Sequence, residues 1–411
     1  MAKRPRSFWS TEWSQGAGCS ASRHGGGRSL RSLSVMNLLR IGYNPVRQRT
    51  LRRTSRWRRV ISFARICSLL LLCAGPSWAP SPLEAQGLEV AEKPPRLKIG
   101  GRLHSQLLHS SSDGGETTEI LFRRARISVE AGLGGTLLAK IEHDFTSGIQ
   151  DAYLKLSIHP SLGVTVGQFK RSFDLFELQS THLISVVERD GNIPGLSDCD
   201  GPGGICSYSR LSEALQYSAR DIGLRVDGVL GTVSYQASVT NGSGARRSDE
   251  NRDKSFSGRM VVALGGDLRL GGNFSVHDYP TEEGTRYGSA FGADLEMGDF
   301  LEPGPHVRAG IMAGDNWAAG GAPTFLTGQV IYLHFIPLEA RRWIAEGLEP
   351  LARISWGDPN RRSPNDHGLL LTPGLMVYFN PRFRVGAGLD IWEPRSGDRA
   401  CSLRAQAYLR F

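Results

Sequence analysis

No run of 18 or more consecutive apolar residues occurs in this chain of 411, so once its N-terminal leader is set aside it offers no candidate for a membrane-spanning helix. Catalytic signatures are missing too. There is no nucleophile elbow, no His-Glu-x-x-His and no lysine-bearing phosphate loop, and Gly132 to Gly135 reads better as a turn. The adjacent pairs His143-Asp144 and His277-Asp278 fall in alternating segments, where neighbouring side chains face opposite ways and cannot act as dyads. An enzyme is therefore disfavoured, and no catalytic residue, metal or cofactor is expected. The body of the chain also lacks a basic excess. Residues 1–85 hold 15 of the 49 Lys and Arg but 2 of the 40 Asp and Glu, leaving 34 against 38, or about −4, for the rest. That balance argues against nucleic acid as a partner.

What the chain does have is alternation. Between Leu121 and Phe145, Ala125, Ile127, Val129 and Ala131 alternate with Arg124, Arg126, Ser128 and Glu130. After Leu133-Gly134-Gly135 the pattern resumes, with Leu137, Ala139 and Ile141 against Leu138, Lys140, Glu142 and Asp144. A period of two describes a β-hairpin with one apolar and one charged face. Glycine, at 50 of 411 residues, exceeds its usual share of about 7% and suits a fold with many tight turns.

Along the chain, residues 1–50 show no sustained period and read as disordered or as sequence upstream of a later start such as Met36. Residues 51–85 read as a cleaved signal peptide, in which Arg52, Arg53, Arg56, Arg58, Arg59 and Arg65 precede the short apolar run Ile66 to Ala74; cleavage after Ala85 is favoured over cleavage after Ala79. Residues 86–95 form a periplasmic N-terminal segment. From Arg96 to Phe411 the alternation recurs about sixteen times, as an antiparallel up-and-down transmembrane β-barrel requires. If the first strand runs outward, the short connections at 133–135, 159–161, 230–231, 265–267 and 380–381 fall on the periplasmic side. Longer outer loops are then expected at 109–119, 170–211, 241–254, 278–285, 357–367 and 393–399. The connection near 146–148 is short and that near 336–346 long, against this rule. Arg124 or Arg126 facing lipid at mid-membrane would cost roughly 2 to 4 kcal/mol each, so the charged face points inward. Phe411, ending a strand with Leu403, Ala405, Ala407 and Leu409 outward, is the expected signal to the barrel-assembly machinery.

Phe122-Arg123-Arg124-Ala125-Arg126, Lys140-Ile141-Glu142-His143-Asp144-Phe145, Asp151-Ala152-Tyr153-Leu154, Gly167-Gln168-Phe169-Lys170 with Glu188-Arg189, and Gly374-Leu375-Met376-Val377-Tyr378-Phe379-Asn380-Pro381 together resemble the family of phosphate-selective porins O and P. The resemblance spans roughly 96 to 411 and implies a sixteen-stranded outer-membrane porin, a homotrimer, with its third outer loop folded inward. Strand parity separately gives that position to the long interval from Lys170 to Leu211. Pore-lining candidates are Arg102, Arg124, Arg126, Lys140, Lys155, Arg225, Arg259, Arg269, Arg308, Arg353 and Arg404. Lys170, Arg171, Asp174, Glu177, Glu188 and Arg189 are the constriction-loop candidates. Phe169, Phe173 and Phe176 have helical spacing, and Cys199 and Cys206 are expected to close a small loop in an oxidising periplasm. The expected function is a wet channel for small solutes and ions, with small anions such as phosphate among its cargo and membrane lipid outside. The alternative is a non-conducting structural or adhesive barrel. Inward glycines, among them Gly288, Gly292, Gly310, Gly314, Gly386 and Gly388, favour the wet lumen by leaving room for water.

Overall fold

A computed structural model describes residues 96–411 except Asp113, Glu250 and 340–343; the segments expected at 1–50, 51–85 and 86–95 lie outside the described residues. Sixteen strands close into one antiparallel barrel, each paired with its neighbours in sequence and the last with the first. They are β1 (Arg96–Ser112), β2 (Gly115–Leu133), β3 (Leu137–Asp144), β4 (Gly148–His159), β5 (Leu162–Lys170), β6 (Arg220–Leu230), β7 (Val233–Thr240) and β8 (Ser255–Gly265). The second half comprises β9 (Leu268–Thr281), β10 (Gly284–Met297), β11 (Gly304–Asp315), β12 (Thr324–Pro337), β13 (Gly347–Asp358), β14 (Gly368–Asn380), β15 (Phe383–Pro394) and β16 (Ala400–Arg410). Closure leaves no sheet edge, so the backbone is satisfied wherever it meets lipid. The terminal residue completes the seam: Phe411 exchanges both backbone hydrogen bonds with Gly101, at 3.0 and 3.1 Å, while its ring stays exposed.

Period two decides the faces. On β2, Ile127 and Val129 are exposed on the outer surface whereas Arg124 and Arg126 are buried inside. A bulge opposite His104 and Ser105 absorbs Arg123, which lets Phe122 and Ala125 both face out and puts three arginines within reach of the lumen. Two expected outer loops are instead strand. Residues 109–119 and 278–285 continue their ladders to tight turns, because cross-strand bonds such as Ser110 to Thr117 at 2.7 Å extend the pairing beyond the apolar band.

The third outer connection, residues 171–219, folds into the barrel and carries two short helices, α1 (Leu175–Leu178) and α2 (Tyr208–Ala214). The helical spacing of Phe169, Phe173 and Phe176 does not make one helix: Phe169 belongs to β5, Phe173 precedes α1, and only Phe176 is helical. The core of the protein lies inside the barrel, between this loop and the second half of the wall. Ile184, Ile193, Ile205, Leu211 and Tyr217 of the loop pack on Met312, Phe325, Ile331, Leu370 and Trp392. Burying each such side chain contributes about 1.5 to 3 kcal/mol.

The space at the inward glycines is taken by side chains, half of them from this loop, rather than left open for water. A methyl at Gly310 would meet Phe176 and Tyr208, at Gly288 Tyr217 and Trp317, and at Gly388 Val187, while Gly292, Gly314 and Gly386 are covered by Asn273, Ala290 and Met376. The closest approach is at Gly357 on β13, where a methyl would overlap the Cys206 carbonyl. Gly357→Ala is therefore expected to weaken loop docking by about 1 to 3 kcal/mol, seen as faster tryptic cleavage at Arg189 and Arg210 with the barrel intact.

Candidate functional site: a basic passage beside the inward loop

Because the loop fills the side of the lumen facing β10 to β16, the open space lies against β2 to β6. Two cavities of about 280 and 260 Å³ occupy it. The outer one is lined by Arg123, Arg124, Asp144, Gln150, Glu188 and Arg246 among others, the periplasmic-side one by Arg102, Lys140, Glu142, Asp151, Tyr153 and Arg225. Four residues line both: Arg126, Lys170, Thr181 and Arg220. They form the waist, and three of the four are cations.

Pairing across strands positions these groups. Arg126 on β2 bonds Asp144 at 2.6 Å and Glu142 at 3.1 Å, both on β3. Arg102 reaches Glu142 at 2.6 Å and Thr181 of the loop at 2.7 Å. Asp151 on β4 accepts from Arg220 at 2.8 Å and from Lys140 at 3.2 Å. Lys170 at the loop base bonds the Glu177 carboxylate at 3.0 Å and the Glu177 carbonyl. Every waist cation thus has a carboxylate behind it, yet cations outnumber carboxylates six to two around the periplasmic-side cavity and seven to four around the outer one. The local field is positive although the described body carries a slight acidic excess, because many of its acids sit elsewhere. Asp249, Glu282 and Glu302, for example, lie in turns at the two rims.

A second arginine set fastens the loop. Glu188 receives Arg124 through two bonds, 2.9 and 3.1 Å, with Arg123 at 3.2 Å. Burial alone would raise the Glu188 carboxyl, but Arg124 and then Arg123 hold it down at about 2. Arg353 donates to the Glu188 and Arg189 carbonyls at 3.0 and 2.6 Å and pairs with Asp390; Arg404 bonds Asp390 and the Asn192 carbonyl. Arg308 donates to Ser185, and Arg171 holds Asp221 at 2.8 Å under the loop base. Cys199 and Cys206 are joined, with Cα atoms 5.2 Å apart. Closing so short a ring contributes about 2 to 3 kcal/mol in the chain-entropy account, so the double serine variant should lose about that much protection of residues 199–206 in hydrogen exchange while the strands keep theirs.

All eleven pore-lining candidates point inward, but they divide. Arg102, Arg124, Arg126, Lys140 and Arg225 line the cavities, whereas Arg259, Arg308, Arg353 and Arg404 lie beneath the loop or bind it; Lys155 is paired with Asp227 at 2.6 Å, and Arg269 with Glu296 and Asp299 near the periplasmic turns. Of the loop candidates, Lys170, Glu188 and Arg189 line a cavity, while Arg171, Asp174 and Glu177 are buried behind it. Sequence reasoning missed Arg123, Arg220, Arg246 and Arg384. Arg123 sits on a bulge and Arg220 at a strand end, where parity fails; Arg384, which does alternate correctly, is caged by Phe300, Tyr378 and Tyr408 at 5.8, 5.6 and 4.4 Å. The His277-Asp278 pair also departs from expectation, since both lie within reach of Ser255 Oγ, at 3.2 and 2.5 Å, near the outer end of β9. Ser255 Oγ donates to Asp278, while His277 Nδ1 accepts from Arg171 at 3.1 Å.

Comparison with known proteins agrees with this geometry. The family model described as phosphate-selective porin O and P matches residues 97–336, and no curated protein sequence matches. Among solved structures, the outer membrane channel DcaP of Acinetobacter baumannii is 13% identical, with 77% of this chain and 97% of that one covered and a TM-score of 0.54. The trimer form of OmpT of Vibrio cholerae is 11% identical, with 77% and 99% covered and a TM-score of 0.51. OprB of Pseudomonas putida is 11% identical, with 77% and 94% covered and a TM-score of 0.50. At such identities the structures speak for the fold, and the family match extends over more than half the chain. The chain accordingly belongs to the phosphate-selective porin O and P family and is an outer-membrane β-barrel porin, a non-enzymatic one.

Proposed function

We propose that this porin conducts small solutes through the passage beside its loop, with a preference for anions. The carrying observation is the waist, where Arg126, Lys170 and Arg220 stand together at the junction of the two cavities. Permeation needs fixed charges that bias entry without trapping the ion, and cations already paired to carboxylates attract an anion while binding it weakly. Phosphate is the favoured cargo on the family's name, and the planar guanidinium forks of Arg126 and Arg220 suit its oxygens. The reading includes a homotrimer, as in the trimer form of OmpT, assembled in the outer membrane through recognition of the Phe411 end and delivered by a cleaved leader. In planar bilayers under a KCl gradient the reversal potential should carry the sign of chloride selectivity, and added phosphate should reduce chloride current. A cation-selective or non-conducting protein would overturn the proposal, the latter in favour of a structural barrel.

A further inference from the structure

Where α1 meets the inner wall of β8, β9 and β10 lies a carboxylate that the passage itself does not use. Asp174 is completely buried, and its φ of 71° is a left-handed conformation that non-glycine residues seldom adopt. Its Oδ1 caps α1 by accepting from the Phe176 amide at 3.0 Å, and its own amide donates to Asn273 on β9 at 3.3 Å. Its Oδ2 and the neighbouring Tyr208 hydroxyl of α2 are both buried without a hydrogen-bond partner among the described residues. The charged groups facing it are Glu177 from α1, Asp294 from β10 and Arg259 from β8, and Arg259 is already committed to both oxygens of Asp294. Asp174 and Asp294 thus face one arginine that Asp294 already occupies, and Glu177 adds a further negative charge beside Asp174, in a buried site where an unpaired charge is costly. Burial first, and Glu177 next, push the Asp174 carboxyl up to about 7. Burial also works against Glu177, but Arg189 and Lys170 keep that carboxyl below its ordinary value. Three residues after Asp174, Glu177 holds Lys170 of the waist.

We propose that Asp174 is a positioning residue for the waist: protonated, it lets α1 seat against β8 to β10 and hold Lys170, and ionised, it drives α1, Glu177 and Lys170 from that seat. The sign follows from the raised carboxyl. Seating is favoured at low pH, loses stability as pH climbs from the ordinary 3.8 towards 7, and stays weakened above that. The inference rests on the passage running through the waist.

The test is single-channel conductance and reversal potential from about pH 5.5 to about pH 8.5. The wild-type protein should change by about two-fold with a midpoint near neutrality, Asp174→Asn should stay flat at the wild-type acid-side value, and Glu213→Gln, which removes a charge from the passage lining, should shift the level of the curve but keep its pH midpoint. Glu213 is the control because its carboxyl, raised chiefly by Glu177 and then by burial, lines the outer cavity. Should Asp174→Asn fail to fold, Asp174→Ser retains a capping oxygen without a titrating group and is read the same way. A flat wild-type profile, one that persists in the Asp174 variants, or one abolished by Glu213→Gln overturns the proposal. A channel without anion preference at any pH overturns the reading of the passage, whereas an anion-preferring channel indifferent to pH overturns the role of Asp174 alone.

Discussion

Glu188→Ala is expected to unfasten the inward loop and raise single-channel conductance several-fold. Glu188 is the one loop carboxylate gripped by two arginines of β2, and removing it leaves Arg124 buried without its partner. Breaking a buried, doubly bonded pair from one side costs about 3 to 5 kcal/mol. That is comparable to burying two apolar side chains of the loop core, so the strip near Glu188 should lift while the packing around Ile193 and Leu211 holds. Linkage gives a second readout. A carboxyl held at about 2 against an ordinary 4.5 contributes its full stability above about pH 4.5 and loses it as the pH falls towards 2. Acidification through that window should therefore loosen the loop in the wild-type protein and add nothing in Glu188→Ala. Conductance unchanged in the variant would show that the loop is held by its apolar face alone.

Arg220→Glu should make the passage of a monovalent anion roughly thirty-fold less favourable at low salt, while favouring cations in turn. The change removes one positive charge and adds one negative charge at the waist, and each unit charge at about 4 Å in water is worth about 1 kcal/mol, or about 2 kcal/mol together. The periplasmic-side cavity then has five cations against three carboxylates, and Asp151 keeps Lys140 as a partner. Ionic screening should shrink the effect as salt rises towards about 1 M. Arg399→Glu, an equal change of net charge at an exposed rim residue paired with Glu393, serves as the control and should leave the reversal potential in place. Equal shifts in both variants would mean that total charge, and not the waist, sets selectivity.

The sequence by itself determined the barrel. Alternation is a property of each strand alone: a residue two places on must return to the same face, so Arg124 and Arg126 announce the inside of β2, and Ile127 and Val129 its outside, without reference to any other strand. Sixteen such segments, an even number, bring both ends of the described chain to one side. What fills the inside was decided by tertiary structure. Gly288, Gly310 and Gly388 look like room for water in the sequence and are seats for loop side chains in the fold, because their partners Tyr217, Tyr208 and Val187 come from the inward loop tens to hundreds of residues away. One local cue does exist. β12 is apolar on both faces, with Phe325, Ile331 and Leu333 buried inside while Val330 and Tyr332 face out, the pattern of a strand covered on two sides. The passage lies against β2 to β6 because the wall from β10 to β16 offers the loop both apolar side chains such as Met312, Phe325 and Leu370 and the loop-binding arginines Arg308, Arg353 and Arg404. The proposed anion preference depends on where the carboxylates ended up, not on how many there are, and long-range pairings such as Arg124 with Glu188 and Arg220 with Asp151 fix their places.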